Sequence, residues 1–356
     1  MISDEIANID TPAVLLDLNV ASRNITRFQS YANQIGMAVR PHIKTHKLPQ
    51  IAALQLAAGA IGITCQKTSE AEAMVAADPR LTDVLITYNI VGTKKLAHLQ
   101  DLARKVRLTV VADSSAVVAG LSAAFATQPS PLRVLVECNT GADRCGVATP
   151  EAAATLARQI ADAPGLQFEG LMTYPPVNGA TQVQAFMTKA KALIEANGLA
   201  VKVVSSGGTP SMMQAGQAPA ASEYRPGTYV YNDRSLVARG VCDWRDCALT
   251  VLATVVSVPS ANRAIIDAGS KALTSDLLGL SGYGHVLGRP DIVIDQLSEE
   301  HGRLISPQPV ALAVGDKLRI VPNHACVVTN MFDAVHVLKD GKCAGLWPIV
   351  ARGKLR

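Results

Sequence analysis

Hydrophobic positions along the first two thirds of the chain alternate between two textures. Short runs rich in Val, Ile and Leu occur at 37–43 (MAVRPHI), 61–65 (IGITC), 83–89 (DVLITYN), 107–113 (RLTVVAD), 133–139 (RVLVECN), 168–174 (FEGLMTY), 202–208 (KVVSSGG) and 227–233 (GTYVYND). Between them lie Ala-rich amphipathic stretches such as LPQIAALQLAAG, TSEAEAMVAA, TKKLAHLQDLARK, PEAAATLARQIAD and TQVQAFMTKAKALIEANG. Several of these open near Thr, Ser or Asp and close near Gly, as helices do. Strands alternating with helices imply a parallel sheet with right-handed crossovers. Eight such strands predict a closed (β/α)8 barrel of the TIM type rather than an open sheet.

The pattern changes near residue 240. ALTVLATVVSVP, RAIIDAG, KLRIVP and AVHVLKDGKCAGLWPIV read as strands joined by turns, and KDGK fits a hairpin. The expected architecture is therefore α/β, with a barrel over 1–240 and an antiparallel β-domain over 241–356. The early run TPAVLLDL, within the first twenty or so residues, either pairs with that β-domain or precedes the barrel.

Composition narrows the partners. The chain has 356 residues, 49% hydrophobic and 17% charged, enough to bury a large core. A net charge of +4 without a long basic run, and only 4% aromatics, argue against nucleic acid. The longest apolar run, ALTVLATVVSV, is too short to span a bilayer, and MISDEIANID has no signal-peptide core. Seven cysteines at 65, 138, 145, 242, 247, 326 and 343 form no CxxC pair. The expectation is a reduced, cytoplasmic protein without nucleic-acid or membrane partners.

In such a barrel, chemistry collects at the C-terminal ends of the strands. His42 and Lys44 fall there on the first strand and Gln66 on the second, while Arg144 follows the fifth in ECNTGADRCGV. Tyr174 ends the sixth, Ser205-Ser206-Gly207-Gly208-Thr209 the seventh, and Tyr229, Tyr231 and Asn232 lie on the eighth. SSGGT has two readings: a phosphate grip of bare backbone and hydroxyls leading into a helix start, or an ordinary glycine turn. RPHIKTHK (40–47) is either a solvated basic loop, or the seat of a reactive Lys44 with Arg40, His42, His46 and Lys47 supplying positive potential. In an extended segment His324 and Cys326 of PNHAC share one side, so they either hold a borderline metal such as zinc or form a buried Cys beside a hydrogen-bonded His.

Together these segments resemble the fold-type III pyridoxal-phosphate (PLP) family of D-threonine aldolases and D-serine dehydratases, more distantly related to alanine racemase. The similarity runs nearly end to end, through DTPAVLLDLNVASRNI, RPHIKTHK, ITCQKTSEAEAM, TGADRCGV, SSGGTPS, EYRPGTYVYND, IIDAGSKALTSD, LSEEHG, VPNHACVV and WPIVARGK. The resemblance implies an alanine racemase-like, PLP-binding barrel followed by a D-serine dehydratase-like β-domain. It places the cofactor on Lys44, with His42 and Gln66 also on the cofactor side and Arg144 on the cofactor ring. Ser206, Gly207, Gly208 and Thr209, with Tyr229 nearby, match the phosphate cup. Tyr174 matches a catalytic tyrosine on the substrate side, and His324 and Cys326 match a divalent metal pair suited to Zn2+, with Mn2+ or Mg2+ as alternatives. It also implies a homodimer.

The implied substrates are β-hydroxy D-amino acids, of the D-serine or 3-hydroxy-D-aspartate type. Loss of the α-proton lets the β-hydroxyl leave, giving a 2-oxo acid and ammonia. Loss of the hydroxyl proton instead breaks Cα–Cβ, giving glycine and an aldehyde. Aldolases of the family tend to carry an HxD metal pair and a histidine shortly after the strand-six tyrosine. This chain has His324-Ala325-Cys326 and reads MTYPPVNGATQVQ, so dehydration is the expected reaction. The PP stretch also departs from the dehydratase pattern. Racemization and non-catalytic PLP carriage are further alternatives; the β-domain argues against the second.

Overall fold

The structure, a computed structural model, describes residues 4–356. It divides into two compact units, one of residues 4–25, 45–48 and 228–353, the other of 26–44, 49–227 and 354–356.

The β-rich unit begins with β1 (Ala13–Asp17). The barrel unit carries β2 (Ala38–Val39), β3 (Ile63–Cys65), β4 (Asp83–Ile86), β5 (Arg107–Ala112), β6 (Leu132–Cys138), β7 (Leu166–Thr173), β8 (Val203–Ser206) and β9 (Glu223–Tyr224). These eight strands are parallel, in the order β2-β9-β8-β7-β6-β5-β4-β3. Closure from β2 to β3 runs through the His42–Thr64 bridge, the Ile61 amide donating to the Val39 carbonyl (2.9 Å) and the Thr64 amide to the Pro41 carbonyl (2.8 Å). The strands read as unbroken apolar runs because both faces are covered, one by helices and one by the barrel interior. One buried cluster is Leu85, Val111, Leu135 and Met172, with Val203 against it, one residue from each of five successive strands.

Crossover helices fall where the pattern put them. Thr68–Ala77 and Pro150–Asp162 match the sequence reading residue for residue. The second starts with Thr149 Oγ1 accepting the Ala152 amide (3.1 Å), with Pro150 in its first turn, where a missing N–H costs nothing.

The eighth strand is a correction. Residues 227–233 are not a strand; the eighth strand is Glu223–Tyr224, and Thr228–Val230 form a single 3-10 turn. Pro226 has no amide to donate to a ladder, and Asn232 takes a left-handed φ of 52°, so an extended run cannot continue.

In the β-rich unit, β1 pairs antiparallel with β10 (Leu249–Ser260), which also pairs with β11 (Arg263–Ile266). β12 (His285–Val286), β13 (Val293–Leu297), β14 (Gly302–Ile305), β15 (Lys317–Val321), β16 (Ala334–Lys339) and β17 (Lys342–Pro348) complete the unit. All its pairings are antiparallel except β1 with β16. Asp340 (φ 52°) and Gly341 (φ 75°) make the tight β16–β17 turn that KDGK predicts.

Candidate active site

In the barrel unit, polar groups gather just past the strand ends. Lys44 sits, partly exposed, on the one-turn 3-10 helix Ile43–Thr45 after β2. Its backbone N–H points to His42 Nδ1 (3.4 Å), which makes Nδ1 the acceptor and Nε2 the protonated nitrogen. His42 Nε2 then donates to Gln66 Oε1 (3.1 Å), and the Gln66 amide donates to the Thr87 carbonyl (3.0 Å). The Gln66 backbone N–H is held by the Glu70 carboxylate (2.7 Å). His42 and Gln66 therefore have fixed orientations beside the lysine turn.

Of the positive charge expected of RPHIKTHK, that of Arg40 is neutralised, by Glu223 (2.8 Å) and Asp83 (2.6 Å). In the β-rich unit, Lys47 is buried and donates to Asn330 Oδ1 (2.9 Å) and the Ala351 carbonyl (3.2 Å), so it is not a solvated loop residue. His46 is buried too, its Nδ1 receiving the Leu48 amide (3.1 Å) and its ring meeting Tyr231 edge-on at 6.3 Å.

Arg144 and Tyr174 come together. The guanidinium lies 4.6 Å from the centre of the Tyr174 ring, within cation–π range. The loop carrying Arg144 folds back on β6: Asn139 Oδ1 accepts the Gly141 amide (2.9 Å) and the Asp143 amide (3.2 Å), and Asn139 and Val147 are joined by a backbone bond (3.0 Å). At Gly146 (φ 107°) a Cβ would lie 2.6 Å from the Asn139 nitrogen, so only glycine permits the return. Pro176 lies against Gly141, and the double proline thereby braces the arginine loop.

Ser206, Gly207, Gly208 and Thr209 are contiguous at the end of β8. Gly208 adopts φ 146°, ψ 132°, and two short 3-10 turns follow within Thr209–Gln217, broken by a kink at Ser211 (φ −114°, ψ 17°). A Cβ on Gly207 would meet the Arg225 backbone at 2.7 Å. Tyr224 donates its hydroxyl to the Gly208 carbonyl (2.9 Å), and Thr209 Oγ1 accepts the Gly227 amide (3.1 Å). Bare glycine backbone, the amides of a tight turn and two hydroxyl side chains suit a phosphate ester. With a partly exposed lysine in the same unit, the donor set fits PLP. Tyr229 belongs to the β-rich unit, buried on the turn Thr228–Val230.

Two buried charges in the barrel escaped the sequence reading. Arg225 donates to the Ser205 hydroxyl (2.5 Å) and the Thr173 carbonyl (2.7 Å), and burial draws its pKa down to about 10. Glu137, on β6, is pushed up to about 7 by burial and by Asp113, against the pull of Arg144 and Arg225. Had the eighth strand been placed at Glu223–Tyr224, Arg225 would have stood out as the first residue beyond its C-terminal end.

In the β-rich unit, His324 and Cys326 stand two residues apart at a helix start, not on a strand. His324 is the N-cap of helix Ala325–Met331, with extended φ/ψ, and Cys326 is in its first turn. Asp276 Oδ2 takes His324 Nδ1 at 2.7 Å, leaving Nε2 as the nitrogen open to a ligand. Burial alone would depress His324, but the neighbouring Cys326 and the Asp276 carboxylate lift it to about 9. Burial alone would raise Cys326, but His324, Thr45 and Thr228 draw it below the usual thiol range. Among the described residues no three His, Cys, Asp or Glu side chains converge as a metal cluster. A histidine nitrogen and a cysteine sulfur do fit a two-donor site with open positions, and the buried Tyr231 hydroxyl has no hydrogen-bond partner.

Barrel and β-rich unit define an alanine racemase-like class. The alanine racemase N-terminal domain model matches residues 16–235, and the model described as "putative serine dehydratase domain" matches 248–338. The chain belongs to the fold-type III PLP-dependent family that includes D-threonine aldolases, 3-hydroxyaspartate aldolases and dehydratases, and D-serine dehydratases. It is 34% identical to a D-threonine aldolase of Arthrobacter sp., over 98% of this chain and 94% of the relative. It is 33% identical to a D-threo-3-hydroxyaspartate dehydratase of Delftia sp. strain HT23, over 97% and 98%. The crystal structure of a D-threonine aldolase from Filomicrobium marinum superposes with a TM-score of 0.92 at 34% identity, covering 99% of this chain and 98% of that one. Solved structures of a D-threo-3-hydroxyaspartate dehydratase include a histidine-to-alanine mutant and, two positions further on, a cysteine-to-alanine mutant in the metal-free form.

Proposed function

We propose that this chain is a PLP-dependent dehydratase of β-hydroxy D-amino acids, releasing a 2-oxo acid and ammonia. The observation that carries the reading is the His324–Cys326 pair at the start of helix Ala325–Met331, with Asp276 on His324 Nδ1 at 2.7 Å; nitrogen and sulfur donors suit Zn2+ better than Mg2+. A D-threo-3-hydroxyaspartate dehydratase solved as a cysteine mutant in the metal-free form, with its His and Cys at the same spacing, supports it.

Lys44 holds the cofactor and then serves the α-proton; Ser206, Gly207, Gly208 and Thr209 hold the phosphate, and His42 and Gln66 line the cofactor side. PLP, when bound, supplies an electron sink for negative charge at Cα. A Zn2+ held by His324 and Cys326 supplies Lewis acidity toward a hydroxyl leaving group. Arg144 and Tyr174 orient the ring and the substrate side as one stacked pair. No titratable side chain occurs between Tyr174 and Lys189, so the segment after the tyrosine offers no base to take the hydroxyl proton, as retro-aldol cleavage requires.

The second reading is aldol cleavage of a D-threonine-type substrate. The Filomicrobium aldolase superposition and the 34% identity to the Arthrobacter aldolase favour it. Incubation with D-serine, D-threonine and D-threo-3-hydroxyaspartate separates the two: oxo acid and ammonia support dehydration, whereas glycine and aldehyde move the assignment to aldolase. We also propose a cytoplasmic homodimer. No described helix is long and apolar enough to cross a membrane.

A further inference from the structure

The His324–Cys326 pair is held by three groups on distant parts of the chain. Asp276 takes His324 Nδ1 at 2.7 Å. Thr45 Oγ1 lies 3.2 Å from Cys326 Sγ, and Thr228 Oγ1 lies 3.5 Å from it. All five residues belong to the β-rich unit. The Asp276 loop is itself tied down: Asn323 donates to the Asp276 carbonyl (3.1 Å) and the Gly282 carbonyl (2.8 Å). Arg234 donates to the carbonyls of Ser281 (2.8 Å) and Gly282 (3.1 Å), and to Asn323 Oδ1 (2.9 Å). On the other side, Asp233 Oδ2 accepts the Ala325 amide (3.1 Å), fixing the backbone between the two donors.

We infer that Asp276, Thr45 and Thr228 are positioning residues that preorganise His324 and Cys326 as a divalent-metal clamp. This rests on the metal reading proposed above and adds what sets the clamp's affinity. Asp276 fixes the ring so that only Nε2 faces the ion, and makes the imidazole a stronger donor. The two threonine hydroxyls donate to the sulfur, which keeps it oriented and disfavours its turning away. A sulfur held by two hydroxyl groups is a better-aimed ligand, and a two-ligand site depends on such aim because, among the described residues, no third His, Cys, Asp or Glu completes a cluster with it. Thr45 directly follows Lys44 in the chain, so one peptide unit carries both the proposed cofactor residue and a contact to the proposed metal ligand.

The test is Zn2+ affinity, measured by competition with a chromophoric chelator on PLP-loaded, metal-stripped enzyme, alongside the thiolate-to-metal absorption band of the Co2+ form. His324→Ala and Cys326→Ala must lose high-affinity Zn2+ binding; if Cys326→Ala binds Zn2+ as wild type does, the metal reading itself fails and this inference with it. Given that loss, Asp276→Asn is expected to weaken Zn2+ binding about 10- to 100-fold. Thr45→Val and Thr228→Val should each weaken it and shift the Co2+ band, and the double variant should weaken it further, while Thr45→Ser and Thr228→Ser retain wild-type affinity. An unchanged cofactor absorbance in each variant shows that the fold is retained. If Asp276→Asn and both valine variants keep wild-type Zn2+ affinity and an unshifted band while Cys326→Ala does not, the positioning role is wrong. Equal losses in the serine and valine variants would also overturn it, since a hydroxyl would then not be the group that matters.

Discussion

Glu137 gives the account a quantitative handle on the barrel. It is buried on β6, and its pKa lies near 7 against an ordinary value of 4.5, with burial the largest cause and Asp113 the second. The folded chain therefore keeps this proton over a pH range in which the unfolded chain has lost it. Stability associated with the group is complete below about pH 4.5 and falls as pH rises toward 7. A shift of roughly 2.5 units at about 1.4 kcal/mol per unit amounts to about 3.5 kcal/mol over the full titration, of which roughly 2.5 kcal/mol falls between pH 5 and pH 8. Glu137→Gln keeps the shape and cannot ionise, so it removes this penalty. Urea unfolding of wild type and variant at pH 5 and pH 8 measures the difference directly. The variant should gain stability relative to wild type by up to about 2.5 kcal/mol on going from pH 5 to pH 8. A stability difference that is the same at both pH values, within about 0.5 kcal/mol, would refute the reasoning, whatever its sign.

The remaining predictions concern the candidate site. Lys44→Ala should abolish the visible absorbance of lysine-bound PLP without unfolding the barrel, checked by absorbance and circular dichroism. Gly207→Ala places a Cβ 2.7 Å from the Arg225 backbone, so it should lose about 1–3 kcal/mol of stability by overpacking and weaken PLP binding, measured by thermal melts and fluorescence titration. Leu135→Ala opens the barrel interior and should cost about 2–5 kcal/mol in urea unfolding. Removing divalent metal with chelator should suppress oxo-acid formation while leaving the PLP absorbance in place, and added Zn2+ should restore it; oxo-acid formation indifferent to chelator would refute the metal's role, and chelator-insensitive interconversion of enantiomers without oxo acid would point to a racemase.

Much of this architecture was legible because barrel strands are covered on both faces and so appear as continuous apolar runs. The eighth strand was not, because Glu223–Tyr224 is two residues long and lies among polar neighbours. The Tyr-Val-Tyr run at 229–231 imitates a strand, but Pro226 before it and the left-handed Asn232 after it exclude one. That displacement hid Arg225. The His324–Cys326 pairing was legible from spacing alone, though for a different reason from the one given by extended geometry: a helix start, not a strand, turns both side chains together. Asp276, Thr228 and Thr45 were not legible at all. They stand 48, 98 and 281 residues from the groups they hold, and no local pattern records a tertiary hydrogen bond. RPHIKTHK misled in the opposite way, since charge in sequence is not charge in space: Arg40 is spent on Glu223 and Asp83.

The central claim is that the enzyme breaks the Cβ–O bond of a β-hydroxy D-amino acid rather than its Cα–Cβ bond. Identifying the products formed from D-threo-3-hydroxyaspartate by the PLP- and Zn2+-loaded protein tests it most directly. The account predicts a four-carbon 2-oxo diacid and one equivalent of ammonia, with no glycine; glycine together with glyoxylate, and no ammonia, would contradict it.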